Sequence, residues 1–454
     1  MDYQEARAYL REVEERLGSD YSLMEVTQLS ECMGRPDRET RIIHIAGTNG
    51  KGSVGTFLCQ VLALSGYRVG RFASPAVFHE RECIQNIYEE DGVVICRDIS
   101  EEETADAVTE LREHCERMVS AGYHQPTAFE METVMAFQKF VDWGVDVAVV
   151  ECGLGGRTDA TNIVEHPLLC VFTPISIDHT RILGNTPEEI AAEKYGIVME
   201  GTRVVSPVSS ACADMLETVC KKRQAELHFV REDTFHVVSC TVNGSRFKYR
   251  GREYEVGRAG IYQAENAAIA VEASEQLMDM GFDGITRGHI QGGLRTAEWR
   301  GRFDVVKRDP LVVVDGAHNP AAVLRLMESL ESYFPGEKFD FIMGVFSDKD
   351  YRREVETLAP LMHRVYTVTA PGKRGLSGEE LGDSILECAE GQGRKVDVFL
   401  CDGVAQACRR ALLGIDAGRK LVVCGSLSIV GEACQYFKMP LAASDVSVPK
   451  SEII

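Results

Sequence analysis

Short apolar runs, each closed by glycine or a polar turn, alternate along the chain with longer stretches that have the spacing of helices. In the first part of the chain these runs are RIIHIAG (41–47), DVAVVECG (146–153), LCVFTPIS (169–176) and TRVVSPV (202–208). Their length and composition predict buried strands, and the alternation with helices predicts an α/β fold with a mostly parallel sheet. The stretch from Leu227 to Val256 alternates apolar and polar residues instead, which predicts a small antiparallel insertion.

A second series of the same kind follows nearer the C-terminus. Its apolar runs are LVVVDGAHNP (311–320), FDFIMGVF (339–346), HRVYTVTAP (363–371) and KLVVCGS (420–426). The segment between the two series, RTAEWRGRFD (295–304), is polar and rich in turn-forming residues. We therefore expect two domains, one over residues 1–297 and one over residues 298–454.

Composition narrows the classes of function. The 454 residues carry a net charge of −21, which argues against a nucleic-acid partner because phosphate backbones need a basic surface. No apolar run is long enough to span a membrane, and the N-terminal segment MDYQEARAYLREVEERL predicts an amphipathic helix, not a signal peptide. Fifteen cysteines without a CxxC pair predict reduced thiols and a cytoplasmic protein. The absence of HExxH makes a zinc hydrolase an unfavoured class.

One loop has the composition of a phosphate-binding turn. In GTNGKGS (47–53), three glycines, Gly47, Gly50 and Gly52, allow backbone N–H groups to approach an anion. Lys51 adds a full positive charge, and the helix predicted to follow adds the positive end of its dipole. An ordinary glycine-rich strand-to-helix turn is the structural alternative. The loop alone predicts a nucleotide and does not say which reaction the protein catalyses.

The same loop lacks the residue that usually binds Mg²⁺, so the metal ligands must come from other segments. Gly52 stands where a usual phosphate loop has the Ser or Thr that binds Mg²⁺. Candidate oxygen ligands are Glu151, at the end of a predicted strand, and Ser74, in the turn after another. His179 follows a third strand, but Mg²⁺ prefers oxygen, so a hydrogen-bonding role is an equal alternative. Lys194 lies in a predicted helix, where a lysine usually faces solvent.

Seven segments occur in one order from about residue 3 to about residue 435 and resemble one family. These are GTNGKGS, ECGLGGRTDATN (151–162), DHTRILGNTPEEIAAEKYGI (178–197), WRGRF (299–303), DGAHNP (315–320), SDKD (347–350) and CGSLSIVGE (424–432). Together they resemble folylpolyglutamate synthase and the bifunctional dihydrofolate synthase/folylpolyglutamate synthase, relatives of the Mur amide ligases. The resemblance implies an N-terminal P-loop-type domain with a mostly parallel sheet and a smaller C-terminal Rossmann-like α/β domain.

The resemblance also implies ligand contacts. It assigns Mg²⁺ to Ser74, Glu151, His179 and Lys194, with the lysine carrying a carbamate that turns a repelling ammonium into an oxygen ligand. The catalytic residues that follow are Lys51, Lys194 and His179. The implied ATP contacts are Gly50, Lys51, Gly52, Ser53, Asn266, Arg302 and Asp315. Since Arg302 belongs to the second domain, the site would form only when the two domains close.

For the folate acceptor the resemblance implies a surface on two segments. Its residues are Thr127, Ala128, Phe129, Glu130, Thr158, Asp159 and Ala160. Phe129 is an apolar surface for an aromatic ring, and a plain core role is the alternative. Four departures from the family pattern leave open which folate binds: Ala76 after the SP turn, Thr158 in place of the common leucine, SLMEV without an arginine, and Ser428 in GSLS.

The implied reaction is an ATP-dependent ligation. The γ-phosphate of ATP activates a substrate carboxylate as an acyl phosphate, and the amine of L-glutamate displaces the phosphate. The expected partners are ATP, L-glutamate, reduced folates and dihydropteroate, with Mg²⁺ as cofactor, in a monomeric cytoplasmic enzyme of one-carbon metabolism. Two alternatives stand beside this reaction: another Mur-type ligase that joins a different acid and amino acid, and a non-catalytic nucleotide-binding protein.

Overall fold

The structure is a computed structural model that describes residues 1–17, 22–208, 212–415 and 418–437. An eight-stranded sheet forms the centre of the N-terminal part, in the order β4-β3-β2-β5-β1-β6-β7-β8. Its strands are β1 (Ile42–Ala46), β2 (Val69–Phe72), β3 (Ile84–Glu90), β4 (Val93–Asp98), β5 (Val147–Glu151), β6 (Leu169–Phe172), β7 (Arg203–Pro207) and β8 (Glu226–Val230). Only the hairpin β3–β4 runs antiparallel to its neighbours in this sheet.

Ten helices surround this sheet in the described residues. They are α1 (Tyr3–Leu17), α2 (Met24–Cys32), α3 (Lys51–Leu64), α4 (Glu101–Ser120), α5 (Ala128–Asp142), α6 (Thr180–Leu183), α7 (Pro187–Lys194), α8 (Ala213–Lys222), α9 (Tyr262–Asp279) and α10 (Arg287–Thr296). The apolar residues of β5 alternate between two cores, because successive side chains of a strand point to opposite faces. Val149 packs in the core that contains α3, α9 and α10. Val150 packs in the core that contains α2, α4 and α5.

The central strands end together at one edge of the sheet. In the parallel register, Ile45 of β1 lies beside Glu151, the last residue of β5. The glycine loop follows β1 directly, so it emerges next to the Glu151 carboxylate. Crevices at the carboxyl ends of parallel strands are the usual ligand sites of such sheets.

The antiparallel insertion is smaller than the sequence predicts. Strands β9 (Phe235–Thr241), β10 (Gly244–Tyr249) and β11 (Arg252–Val256) form an antiparallel three-stranded sheet, which confirms that part of the prediction. The prediction is wrong for residues 227–230, which belong to β8 and pair in parallel with β7. Helix α8 carries the chain across the large sheet between these two strands, and such a crossover produces a parallel pair.

A six-stranded sheet forms the C-terminal part, in the order β12-β13-β17-β14-β15-β16. Its strands are β12 (Asp304–Arg308), β13 (Leu311–Asp315), β14 (Phe339–Met343), β15 (Met362–Thr367), β16 (Asp397–Leu400) and β17 (Lys420–Cys424), of which β12 alone is antiparallel. The helices of this part are α11 (Pro320–Tyr333), α12 (Tyr351–Leu358), α13 (Gly378–Gly391), α14 (Val404–Gly414) and α15 (Leu427–Tyr436). The predicted α/β class is confirmed. The division at 297/298 falls between α10 and β12 and stays a prediction, and residues 438–454 lie outside the described part.

Two further observations concern the thiols and the helices. All fifteen cysteines are free, and most of them are buried. Within the described ranges, no helix combines the length and the apolar character that a bilayer crossing needs.

Candidate nucleotide and metal site

A cavity of about 630 Å³ lies between the carboxyl ends of the two large sheets, and we call it the main cavity. Every residue that the sequence predicts for ATP or metal binding lines it. These are Gly50, Lys51, Gly52, Ser53, Ser74, Glu151, His179, Lys194, Asn266, Arg302 and Asp315. The main cavity therefore joins residues separated by more than 250 positions in the chain into one site.

The glycine loop has a backbone that other residues would not adopt. Gly50 has a φ of 94°, and a Cβ there would lie 2.4 Å from Oδ1 of Asn266. Gly47 has a φ of 156°, and a Cβ there would lie 1.9 Å from Oγ1 of Thr173. Gly52 is different, since the nearest atom to a Cβ would be Oε2 of Glu151 at 3.7 Å. The first two positions thus require glycine, whereas Gly52 has room for a small side chain.

Lys51 begins helix α3 and lies beside the buried carboxylate of Glu151. Its Nζ is 3.6 Å from Oε1 of Glu151 and donates a hydrogen bond to the Gly47 carbonyl at 3.2 Å. Burial raises the pKa of Glu151, and the Lys51 ammonium opposes that rise. The charge of Lys51, like that of an added cation, therefore favours the ionised form of this carboxylate.

Lys194, the last residue of α7, is buried and does not face solvent. Only 4% of its surface is exposed, and its Nζ donates to the Gly47 carbonyl at 2.8 Å. Two lysine side chains, Lys51 and Lys194, thus converge on one carbonyl oxygen. Burial, with the Lys51 charge second, lowers the pKa of Lys194 to about 7. A neutral amine is accordingly accessible at this position near neutral pH.

His179 is held in a left-handed conformation, with a φ of 50°. Its backbone N–H donates to Oδ1 of Asp178 at 2.8 Å, which ties the ring's position to that carboxylate. Burial, with the Lys349 charge second, lowers the pKa of His179 to about 4. The imidazole is therefore neutral near pH 7, the form that can bind a metal ion.

A network that sequence reasoning missed joins the two halves of the main cavity. Nζ of Lys349 lies 2.5 Å from Oδ1 of Asp178, and Asn319 donates to Oδ2 of Asp178 at 2.9 Å. Asn319 also donates to Oδ1 of Asn49 in the glycine loop at 3.1 Å. Burial disfavours the charged form of Asp178, but Lys349 and His179 together outweigh it and hold the pKa at about 2. The segments SDKD and DGAHNP, which supply Lys349 and Asn319, were the signal that was available in the sequence.

Asp315 organises the segment that carries Arg302. Its carboxylate accepts hydrogen bonds from the backbone N–H groups of Phe303 and Ala317 and from the hydroxyl of Tyr262, each at 2.8 Å. Arg302 itself donates to the Gly316 carbonyl at 3.3 Å. The carboxylate is thus fully occupied by protein donors, while the guanidinium beside it lines the main cavity.

The donors at this site fit a metal ion that is shared with a ligand. Ser74, Glu151 and His179 contribute a hydroxyl, a carboxylate and a neutral imidazole to the same cavity. In the part of the chain that the structure describes, no group of three or more His, Cys, Asp or Glu side chains could enclose a metal. Mg²⁺ commonly takes one or two protein ligands and completes its shell with phosphate oxygens and water, which suits this donor set.

The residues predicted for folate binding do not line the main cavity. Thr127 and Glu130 cap helix α5 reciprocally: the Thr127 N–H donates to Oε2 of Glu130 at 2.7 Å, and the Glu130 N–H donates to Oγ1 of Thr127 at 3.3 Å. Both side chains are buried, as is Ala128. This arrangement is a capping box, so the sequence of this segment has a structural reason of its own.

The second predicted segment is also engaged within the protein. Asp159 accepts hydrogen bonds from the Leu154 N–H at 2.7 Å and from the Thr161 hydroxyl at 2.5 Å. Ala160 is buried, and Thr158 is partly exposed. None of the seven residues predicted for the acceptor therefore lines the main cavity.

Phe129 lies directly behind a residue that lines the main cavity. Its ring stacks on Phe72 at 5.8 Å between centroids. A Cβ at Gly153, which lines the main cavity, would lie 2.5 Å from Cζ of Phe129. The ring therefore forms the layer directly behind the backbone of Gly153, and the glycine is what permits this close approach.

Comparisons with known proteins give consistent similarities. Residues 301–427 match the Mur ligase, glutamate ligase domain. The chain is 34% identical over 396 residues to a dihydrofolate synthase/folylpolyglutamate synthase of Bacillus subtilis, covering 84% of this chain and 88% of that protein. A Mycobacterium tuberculosis folylpolyglutamate synthase solved with ADP and AMPPCP matches with a TM-score of 0.82 and 28% identity, over 96% of this chain and 99% of that one. A bifunctional folylpolyglutamate synthase/dihydrofolate synthase solved with Mn, AMPPNP and L-glutamate matches with a TM-score of 0.78 and 27% identity, over 97% and 98%.

Proposed function

The chain belongs to the family of dihydrofolate synthases and folylpolyglutamate synthases, and from this premise we propose which residues act and which acceptors the enzyme takes. It is an ATP-dependent ligase that joins L-glutamate to folates, so the resemblance inferred from the motifs is confirmed. Membership of this family argues against both alternatives, the non-catalytic nucleotide-binding protein and the ligase of a different acid. The observation that carries the proposal is the convergence of Lys51, Glu151 and Arg302 on one cavity.

We infer that the main cavity binds ATP with its phosphates at the glycine loop. The loop's backbone N–H groups and the start of α3 suit an anion, and Lys51 supplies the matching charge. Asn266 lies against Gly50, which fixes the loop beside the nucleotide. Arg302 and the segment held by Asp315 approach from the C-terminal part, so closing of the two parts completes the site.

The reaction needs little more than positioning and charge. The carboxylate of the acceptor attacks the γ-phosphorus, ADP leaves, and an acyl phosphate forms. The amine of L-glutamate then attacks the acyl carbon, the amide bond forms, and phosphate leaves with the bonding electron pair. Lys51 and Arg302 offset the negative charge that moves between these groups. Enclosure between the two parts keeps water from hydrolysing the acyl phosphate.

We propose that Ser74, Glu151 and His179 hold Mg²⁺ and that Lys194 joins them as a carbamate. Bound Mg²⁺ would neutralise phosphate charge during transfer. The convergence of Lys51 and Lys194 on the Gly47 carbonyl supports the carbamate, because two ammonium groups there would repel each other. A carbamate forms when a neutral amine attacks CO₂ and releases a proton. It would replace that repulsion with attraction.

We propose that dihydropteroate is accepted as well as reduced folates. Both acceptors present a carboxylate on an aromatic amide framework and use the same amine, so one closed site can serve both. Phe129, layered behind Gly153, offers an aromatic surface close to the cavity wall. We propose that Thr127, Ala128, Glu130, Thr158, Asp159 and Ala160 support that surface.

Two further parts of the proposal concern the state of the protein. We infer a monomer, because the main cavity is lined by residues of both parts of one chain. The fifteen free thiols are in keeping with a reducing, cytoplasmic compartment. Light scattering on the purified protein tests the first statement, and a dimer would contradict it.

The direct test is ADP release by the purified protein with ATP, Mg²⁺ and L-glutamate. We expect turnover with tetrahydrofolate and separately with dihydropteroate, and none when L-glutamate is left out. Turnover with tetrahydrofolate but none with saturating dihydropteroate would restrict the enzyme to adding glutamate to existing folates. ADP release that does not depend on either acceptor would contradict the proposal.

A further inference from the structure

A second cavity of about 170 Å³ opens beside the main cavity, and we call it the side pocket. The two cavities share the wall formed by Gly52, Ser74, Glu151 and Arg302. This is the wall at which the γ-phosphate and the activated carboxylate would meet. The side pocket therefore begins where the chemistry occurs and extends away from the nucleotide.

Arg71 of β2 lines the side pocket beside Glu151. Its Nη1 donates to Oε1 of Gln85 at 2.8 Å, a neutral acceptor. Burial raises the pKa of Glu151, and the charge of Arg71, after that of Lys51, opposes this rise. Among the described residues, the direct ion pair of Glu151 is with Lys51, at 3.6 Å, and not with Arg71. One point, the Cβ position of Gly52, lies 4.0 Å from Nη2 of Arg71 and 3.7 Å from Oε2 of Glu151. The guanidinium of Arg71 is thus held close to the site of reaction, near Glu151 but without a direct ion pair to it.

Two acidic side chains of the side pocket, Glu82 and Glu298, make their contacts with groups other than Arg71. Glu82 accepts hydrogen bonds from the backbone N–H groups of Val77 and Phe78. Glu298 is 44% exposed at its side chain and reaches Arg300 only at 4.0 Å. Arg300, 17% exposed at its side chain, adds a second cation to the pocket wall. Three arginines and three glutamates line the side pocket, so its lining carries no net charge. Because Glu151 pairs directly with Lys51, Arg71 can still take the carboxylate of a ligand as its partner.

The acceptor of the ligase offers such an anion. A folate ends in a glutamate with two carboxylates, of which one is activated and the other must be accommodated unreacted. The two carboxyl carbons are four bonds apart, or about 5 Å when extended. We propose that the side pocket binds the unreacted carboxylate of a folate acceptor and that Arg71 pairs with it, in the bidentate geometry that guanidinium allows.

This inference rests on the proposed function and predicts that the two acceptors depend differently on Arg71. Dihydropteroate ends in a single carboxylate, the one that is activated, so it has nothing for Arg71 to bind. Arg71 is then a specificity-determining residue for the addition of glutamate to folates, and the affinity for dihydropteroate should not depend on it.

The test compares the wild type with Arg71→Gln, using Arg97→Gln on strand β4 of the same sheet as a matched control. The acceptors are tetrahydrofolate, its analogue with a carboxamide in place of the unreacted carboxylate, and dihydropteroate. We expect the wild type to bind the carboxamide about 10- to 100-fold more weakly than tetrahydrofolate. Arg71→Gln should lose affinity for tetrahydrofolate by a similar factor and no longer distinguish it from the carboxamide. The KM for ATP should stay within about twofold, and Arg97→Gln should behave as wild type.

Calorimetric binding of each acceptor in the presence of ADP gives the same comparison without turnover. Absence of turnover by the wild type would contradict the proposed function alone, whereas the binding data would still decide the role of Arg71. Continued preference of Arg71→Gln for tetrahydrofolate over the carboxamide would overturn the inference. Equal losses with all acceptors, together with a raised KM for ATP, would also overturn it, since Arg71 would then be a counter-charge to Glu151. Arg71→Lys, which keeps the charge, covers the case in which Arg71→Gln does not fold.

Discussion

The residues predicted for ATP and metal, which we call the nucleotide wall, and the segments predicted for the acceptor differ in where the structure places them. Every residue predicted for ATP or metal lines the main cavity, while none of the seven predicted for folate does. At the nucleotide wall, Gly47, Gly50 and a buried Lys194 adopt states that local structure alone does not require. In the acceptor segment, Thr127 and Glu130 satisfy each other at the start of α5.

The difference teaches how to weigh a motif. A loop of small residues around one lysine contributes little to a hydrophobic core, so ligand binding is the simplest reason for its composition. A Thr-x-x-Glu sequence before an apolar helix already has a reason, because it caps the helix. The first kind of motif points to chemistry directly. The second needs contacts with a cavity before chemistry follows from it.

The largest effect is expected at the nucleotide wall. Lys51→Ala removes the cation beside Glu151 and should lower the rate of acceptor-dependent ADP release by about a hundred- to a thousandfold. Thermal melting should show a folded protein. Lys221→Ala is the control, since that lysine is 79% exposed at its side chain on α8. Unchanged turnover in Lys51→Ala would break the comparison, because the wall would then not bind phosphate.

A somewhat smaller loss is expected for Lys194→Ala, about a hundredfold, since a carbamate ligand is lost but the rest of the wall remains. Added acetate or another small carboxylate should restore part of the rate by supplying the missing oxygens. A crystal structure of the wild type should show extra density on Nζ of Lys194. Full activity of the unrescued variant would exclude a ligand role for this lysine.

The acceptor segment should respond through stability before it responds through binding. Thr127→Ala removes the cap of α5 and should lower the free energy of unfolding by about 1 kcal/mol, with the KM for tetrahydrofolate unchanged. Phe129→Ala, in contrast, should raise that KM as well as destabilise the fold. Chemical denaturation and steady-state kinetics on both variants make the comparison. A raised KM in Thr127→Ala would mean that its side chain contacts the acceptor after all.

The last effect, which leaves activity aside and appears only as a pH dependence of stability, concerns Glu132 on the same helix. Burial, with Glu14 second, raises the pKa of Glu132 to about 7 from a usual 4.5. The folded state then holds a proton that the unfolded state has lost between these values, so stability falls as the pH rises from about 4.5 to 7. Glu132→Gln should remove this loss and melt about 2–4 °C above wild type at pH 8, with little difference at pH 4. Parallel melting curves across this range would contradict the burial argument.

Much of the fold was predictable because buried parallel strands have a distinct apolar signature. Strands β1, β5 to β7, β13 to β15 and β17 follow the predicted runs. The hairpin β3–β4 and strands β12 and β16 lie at sheet edges, where polar residues alternate or intrude, and they were not predicted. The error at residues 227–230 has the same cause, since the edge strand β8 has an exposed side and carries a mixed pattern.

The site was predictable where the functional residues directly follow strands that can be recognised in the sequence. The glycine loop and Glu151 follow strands that the sequence reveals, so their meeting at one sheet edge could be expected. The pairing of Asp178 with Lys349 joins residues 171 positions apart across two parts of the fold. Arg71 lies within a strand, where an arginine side chain usually extends to solvent, and only the structure shows that it lines a pocket beside Glu151.

The most direct test is a crystal structure of the protein with Mg²⁺ and a non-hydrolysable ATP analogue. The account predicts the terminal phosphate between Lys51 and Arg302. It also predicts Mg²⁺ at about 2.0–2.1 Å from a Glu151 oxygen, with Ser74, His179 and the modified Lys194 around it. A nucleotide bound outside the main cavity, or a metal that leaves Glu151 without contact, would contradict it.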